Sequence, residues 1–138
     1  GYKTESERIT DKLMIDLEGY RSLLAGSRAL LETIPSEQSL ERLLSPFDTT
    51  KQWFVWGTKF LQFLRPDIFP VVDSRVTTLL GLVQSGSMGR RYYRAMRVIR
   101  EVVNRNLDLL EELRSWDQER CPSVLKVLDK VLYAQGGK

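Results

Sequence analysis

Apolar residues recur along this chain at intervals of three and four, the spacing that gives a helix one oily face. Ile9, Leu13, Leu17, Tyr20 and Leu24 follow that rule, with Glu7, Arg8, Lys12 and Arg21 between them, and predict a helix over residues 6–24. Gly26 punctuates it, a short helical turn follows at residues 29–33, and Pro35 breaks the chain. Ser36 is placed as an N-cap for a helix carrying Leu40, Leu43 and Leu44, which stops near Pro46. Asp48 is expected to cap the next helix, over residues 49–64.

That fourth pattern differs from the rest. Trp53, Phe54, Val55, Trp56, Phe60, Leu61, Phe63 and Leu64 cover most of its circumference, leaving Thr58, Lys59 and Gln62 as a narrow polar strip. A helix apolar nearly all round is expected at the centre of a bundle, and the three tryptophans, Trp53, Trp56 and Trp116, are assigned to the core. Residues 65–72 form an extended connection pinned by Pro66 and Pro70. Asp73 opens a helix over residues 74–83, with Val76, Leu79, Leu80 and Val83 facing inward.

The Gly/Ser-rich stretch of residues 84–89 predicts a flexible loop. A long helix over residues 90–105 follows, buried through Tyr93, Met96, Val98, Ile99, Val102 and Val103. Asn106 separates it from a short helix over residues 107–116, and Pro122 starts a last one carrying Val124, Leu125, Leu128, Val131 and Leu132. Val71 and Val72 are the one β-like pair, too short for a sheet. The expectation is an all-α fold, one compact domain over residues 1–138 with about seven helices.

Composition narrows the chemistry more than the fold. With 42% hydrophobic and 28% charged residues, 138 residues suffice for one core without disulfides or metal. No apolar run reaches the ~20 residues that span a bilayer, and no secretory apolar stretch opens the chain, so no membrane partner is expected. Gly1 reads as an expression remnant and Gly136, Gly137 and Lys138 as a frayed tail. There is no histidine, which removes the usual general base and the commonest metal ligand. The lone cysteine, Cys121, forms no intrachain disulfide, and a reduced, cytoplasmic protein without metal or cofactor is the simple expectation. The net charge of +3 permits an anionic partner without requiring one.

One block carries a more specific signal: Gly57, Thr58 and Lys59 on the most apolar helix, then a Phe69-Pro70-Val71-Val72 connector, then Asp73 at a helix start and Val76 beyond it. This layout resembles the helix-hairpin-helix DNA glycosylase superfamily over the segment from Gly57 to Val76. The resemblance implies that Gly57 is the last glycine of the hairpin. It gives Lys59 the position of a Schiff-base lysine, and Asp73 that of the aspartate supporting the nucleophile and a cationic sugar transition state. The residue types suit that chemistry. A carboxylate at a helix start is favoured in its charged form, and a lysine held among Val55, Trp56 and Phe63 would lose solvation. The same residues also have plain structural roles, Asp73 as an N-cap worth about 1 kcal/mol and Lys59 as a snorkelling surface lysine.

A second signal is basic. Arg90, Arg91, Arg94, Arg97 and Arg100 crowd one helix beside Tyr92 and Tyr93, and Arg90, Arg94 and Arg97 share a face. Such a row can track phosphates, with Tyr92 stacking on a base or ribose and Arg75 joining from beside Asp73. It can equally be a solvated face whose arginines pair with Glu101, Glu111 and Glu112. Two functions follow as expectations. One is a nucleic-acid-binding, DNA-directed helical module on a glycosylase-like core, with Lys59 and Asp73 catalytic if chemistry is retained. The other is a non-enzymatic module for a protein partner in defence, immunity or regulation.

Overall fold

The structure is a computed structural model that describes residues 3–136, so the expectations for Gly1, Gly137 and Lys138 lie outside it. Among the described residues eight α-helices follow one another: α1 (Glu5–Ile15), α2 (Leu17–Gly26), α3 (Glu37–Leu44), α4 (Phe54–Leu64), α5 (Ser74–Leu80), α6 (Met88–Arg105), α7 (Leu107–Ser115) and α8 (Val124–Gly136). A single 3-10 turn, Ser45–Phe47, links α3 to the loop before α4. The described residues contain no strand, only an isolated bridge between Asp48 and Gln52. The fold is all-α, as the periodicity predicts, and no described helix is long and apolar enough to cross a membrane.

Short polar side chains set most helix starts by accepting an otherwise orphaned backbone N–H. Ser36 accepts from Ser39 at 3.1 Å, Asp73 from Val76 at 2.9 Å and Ser87 from Arg90 at 3.3 Å. Ser123 does the same for Lys126 at 3.2 Å. This chemistry also corrects several boundaries. The helix expected over residues 6–24 is broken at Asp16 (φ −139°, ψ 54°), whose carboxylate caps Gly19 of α2 and pairs with Arg42 of α3. Asp48 is not the cap of α4. Residues 49–53 form instead a loop gathered around Glu5, whose carboxylate accepts the hydroxyls of Thr49 and Thr50 and the indole N–H of Trp53 at 2.9 Å.

Helix α5 is shorter than expected because Gly81 adopts the left-handed conformation (φ +61°) and returns its N–H to the end of the helix. Leu79 and Val83 are therefore exposed. Helix α6 begins two residues early, so Met88 and Gly89 of the expected loop are buried. Gly136 closes α8 as its last helical residue.

The core centres on α3, α6 and the residue 65–72 connector, with α8 packed on α5 and α7. At the α3–α6 crossing, a Cβ on Gly89 would stand 2.6 Å from the backbone nitrogen of Glu41 and 2.7 Å from its Cα. Only a residue without a side chain fits there. Tyr92 is sealed from solvent, stacked on Phe69 with its hydroxyl donating to the Pro70 carbonyl at 2.6 Å. Tyr93, Val98 and Val102 were expected inside, yet Val98 is exposed and the other two are only half-buried.

Helix α4 reverses the expectation more sharply. Its strip of Thr58 and Gln62 is buried, while Trp56 (59% exposed) and Phe63 (83% exposed) face solvent. Thr58 is turned inward by hydrogen bonding, its Oγ1 donating to Val55 and accepting from the buried N–H of Val72 at 3.1 Å. Trp116 is likewise exposed and Trp53 half-buried, so the tryptophans are not core residues.

Two outcomes follow from this packing. Gly89→Ala should destabilise the protein by about 1–3 kcal/mol, because α3 and α6 must separate. Gly26→Ala, where nothing lies within 4 Å, should change stability by less than about 1 kcal/mol. Urea unfolding of the two variants checks this. Helix α1 has no fully buried residue and is tied to the residue 49–53 loop by the Glu5 carboxylate, whose pKa falls from 4.5 to about 2 chiefly through the Thr49 hydrogen bond, then those of Thr50 and Trp53. The lowered folded value makes its contribution complete above pH 4.5 and lost as pH falls towards 2. Trp fluorescence should report an acid transition in that window, and Glu5→Gln should abolish it.

Candidate functional site

The strongest concentration of charge lies on the outer face of α6. A groove of about 770 Å³ runs between the Gly81, Leu82, Val83 segment after α5 and this face, lined by Arg94, Arg97, Arg100 and Arg105 with Val98, Glu101 and Asn104. The geometry is a consequence of helical phase. Tyr92, Ala95, Met96, Ile99 and Val103 take one side of α6 into the core, which turns residues 94, 97, 98, 101 and 105 outward together. Arg105 is paired with Glu101 at 2.7 Å. Arg94 donates to the Ser85 carbonyl at 2.8 Å, which anchors it without cancelling its charge. Among the described residues Arg94, Arg97 and Arg100 pair with no carboxylate, so three guanidinium charges are uncompensated along one wall.

The expected phosphate row is thus brought together in part. Arg94 and Arg97 line the groove, and Arg90 is exposed just upstream beside Gly86. Arg91 points elsewhere: its guanidinium carbon lies 4.0 Å over the Phe54 ring, and partial burial lowers its pKa. Tyr92 is the clear correction. With no exposed surface, and with burial raising its pKa well above the ordinary value, it offers no ring face to a base. Arg75 sits 4.0 Å over the Tyr133 ring and 3.9 Å from Asp73, and lines neither this groove nor any other described cavity. Arg100 and Arg105 complete the groove, and Arg105 is the residue reached by extending the Arg94, Arg97, Glu101 spacing one further turn.

The Lys59–Asp73 segment has a defined geometry of its own. The Thr58–Val72 hydrogen bond joins the residue before Lys59 to the residue before Asp73, so the two segments are neighbours in the fold. Their side chains diverge from there. Asp73 caps α5 with one oxygen and faces Arg75 with the other. Lys59 is exposed, its ammonium 5.0 Å over the Trp56 ring, so the loss of solvation expected among Val55, Trp56 and Phe63 does not occur. Gly57 packs against Leu44 and Phe47 within α4 rather than ending a hairpin, since a Cβ there would stand 2.8 Å from Leu44. Lys59 lines the groove between α1 and α4, whereas Asp73 lines none of the protein's five most pronounced cavities.

Lys59 belongs instead to a second groove of about 570 Å³ between α1 and α4, with Glu5, Ser6, Ile9, Phe47, Trp53, Trp56, Phe60 and Phe63. Trp56, Lys59, Phe60 and Phe63 share one helix face, but that spacing alone leaves open whether the face turns inward or outward. No protein-family model, no curated protein and no solved structure matches this chain.

Proposed function

We propose that this domain binds the phosphate backbone of nucleic acid in the groove between the 81–83 segment and α6. The observation that carries the reading is the wall of three uncompensated arginines, Arg94, Arg97 and Arg100, facing Leu82 and Val83 across the groove. Guanidinium forks match phosphate oxygens in pairs, and an unpaired arginine gives up water more readily than lysine does. From Arg94 to Arg105 the helix advances about 16 Å, over which one strand of a duplex presents about five phosphates. The groove reads backbone rather than sequence, since Tyr92 is withdrawn from the surface.

A second reading is glycosylase-type strand chemistry at Lys59 and Asp73. The Thr58–Val72 hydrogen bond favours it by holding the two segments side by side. The separate surroundings of the two side chains, Lys59 at the α1–α4 groove and Asp73 between Arg75 and the start of α5, favour binding without chemistry.

Binding to a short DNA duplex should weaken with salt, with a log–log slope near −3 if three phosphates are neutralised. Arg97→Gln should reduce that slope by about one and weaken binding to all sequences alike. Arg21→Gln, on the exposed face of α2, should leave it unchanged. Fluorescence anisotropy at several salt concentrations gives the slope, and no binding at low salt would exclude the proposal. Borohydride treatment with a duplex containing an abasic site is expected to give no covalent adduct. An adduct that disappears in Lys59→Ala would establish the second reading.

A further inference from the structure

We infer that the α1–α4 groove is a docking site for an acidic amphipathic helix of a protein partner. Its floor and walls are apolar, built from Ile9, Phe47, Phe60 and the rings of Trp53, Trp56 and Phe63. Trp56 and Phe63 stand 59% and 83% exposed on a helix that buries Phe54 and Leu61, and they lie on one face with Phe60 at positions i, i+4 and i+7. That spacing presents side chains about 10 Å along the helix axis, the arrangement by which one helix receives the apolar stripe of another.

Charge selects the occupant. Lys59 lines the groove and Lys51 stands beside it, and among the described residues neither pairs with a carboxylate. Each ammonium instead rests over one of the groove's own rings, Lys59 at 5.0 Å from Trp56 and Lys51 at 5.8 Å from Trp53. The one acidic lining residue, Glu5, has its carboxylate occupied by Thr49, Thr50 and Trp53. The rim is therefore positive, with acceptors missing. A helix with an apolar stripe flanked by glutamates fills the groove and supplies carboxylates to both lysines. A second copy of this chain would set lysine against lysine, which disfavours self-association through this face.

The test uses the full chain and two synthetic helical peptides with the same leucine stripe, one flanked by glutamate and one by lysine. The glutamate peptide should saturate a change in Trp fluorescence and the lysine peptide should not. Phe63→Asp should weaken the glutamate peptide at least about tenfold. Because Phe63 is so exposed, the variant should keep the wild-type urea midpoint. Lys59→Glu should transfer preference to the lysine peptide. Equal binding of both peptides, binding of neither, or an unaltered affinity in Phe63→Asp would overturn the inference. So would a single-stranded oligonucleotide that saturates the same fluorescence change and loses it in Phe63→Asp. Arg97→Gln should not affect the peptide, so failure here and failure of nucleic-acid binding are read separately.

Discussion

The fold depends on burying a stretch of chain that is not helical. Residues 68–72 lie in the core, and a buried backbone outside regular structure must have its polar groups satisfied by something other than its neighbours. Five parts of the chain supply the partners for residues 65–72. Tyr92 of α6 donates to the Pro70 carbonyl, Thr58 of α4 accepts from Val72, and Ser123 before α8 donates to Pro66. The N–H of Leu30 reaches Asp67 at 3.2 Å, and the Arg65 guanidinium reaches the carbonyl of Leu24 at the end of α2 at 2.6 Å. Each bond is modest alone, but an unmade one would leave a dry polar group costing about 1–3 kcal/mol. The connector therefore fixes where α2, α4, α6 and α8 stand around it.

This constraint accounts for the inside-out behaviour of α4. Thr58 must face the connector to accept from Val72, and Gln62, one turn further along, is carried to the same buried side. With that side inward, residues 56 and 63 are turned out. A helix whose composition suits a bundle centre thus lies at the surface, with an aromatic face that only α1 partly covers. Helix α6 resolves the same competition the ordinary way. Its apolar stripe is continuous, Tyr92 satisfies its hydroxyl on the connector, and its arginines lie off that stripe.

The result is a domain with two chemically distinct surfaces. One is a cationic groove on α6, and the other an aromatic groove on α4 with a positive rim. They use different residues and different helices. Phe54 of α4 contacts α6, its ring meeting Tyr92 edge-on at 6.0 Å and carrying Arg91 on its face. Lys59 lines the aromatic groove and Asp73 lines neither, so the two are next to one another in backbone and separate in side-chain environment.

The helical class, the Ser36 and Asp73 caps, the Asn106 break and the arginine-rich face of α6 were all legible in the residues, because they are set by local spacing and by side chains bonding their own backbone. The break at Asp16, the late start of α4 and the exposure of Trp56 and Phe63 were not. Each is decided by a partner distant in sequence: Arg42 for Asp16, Glu5 for the residue 49–53 loop, and Val72 for Thr58. Periodicity tells which residues can share a face. Which face turns inward is chosen by the polar groups that the rest of the fold leaves in need of a partner, and that choice exists only once the chain has folded.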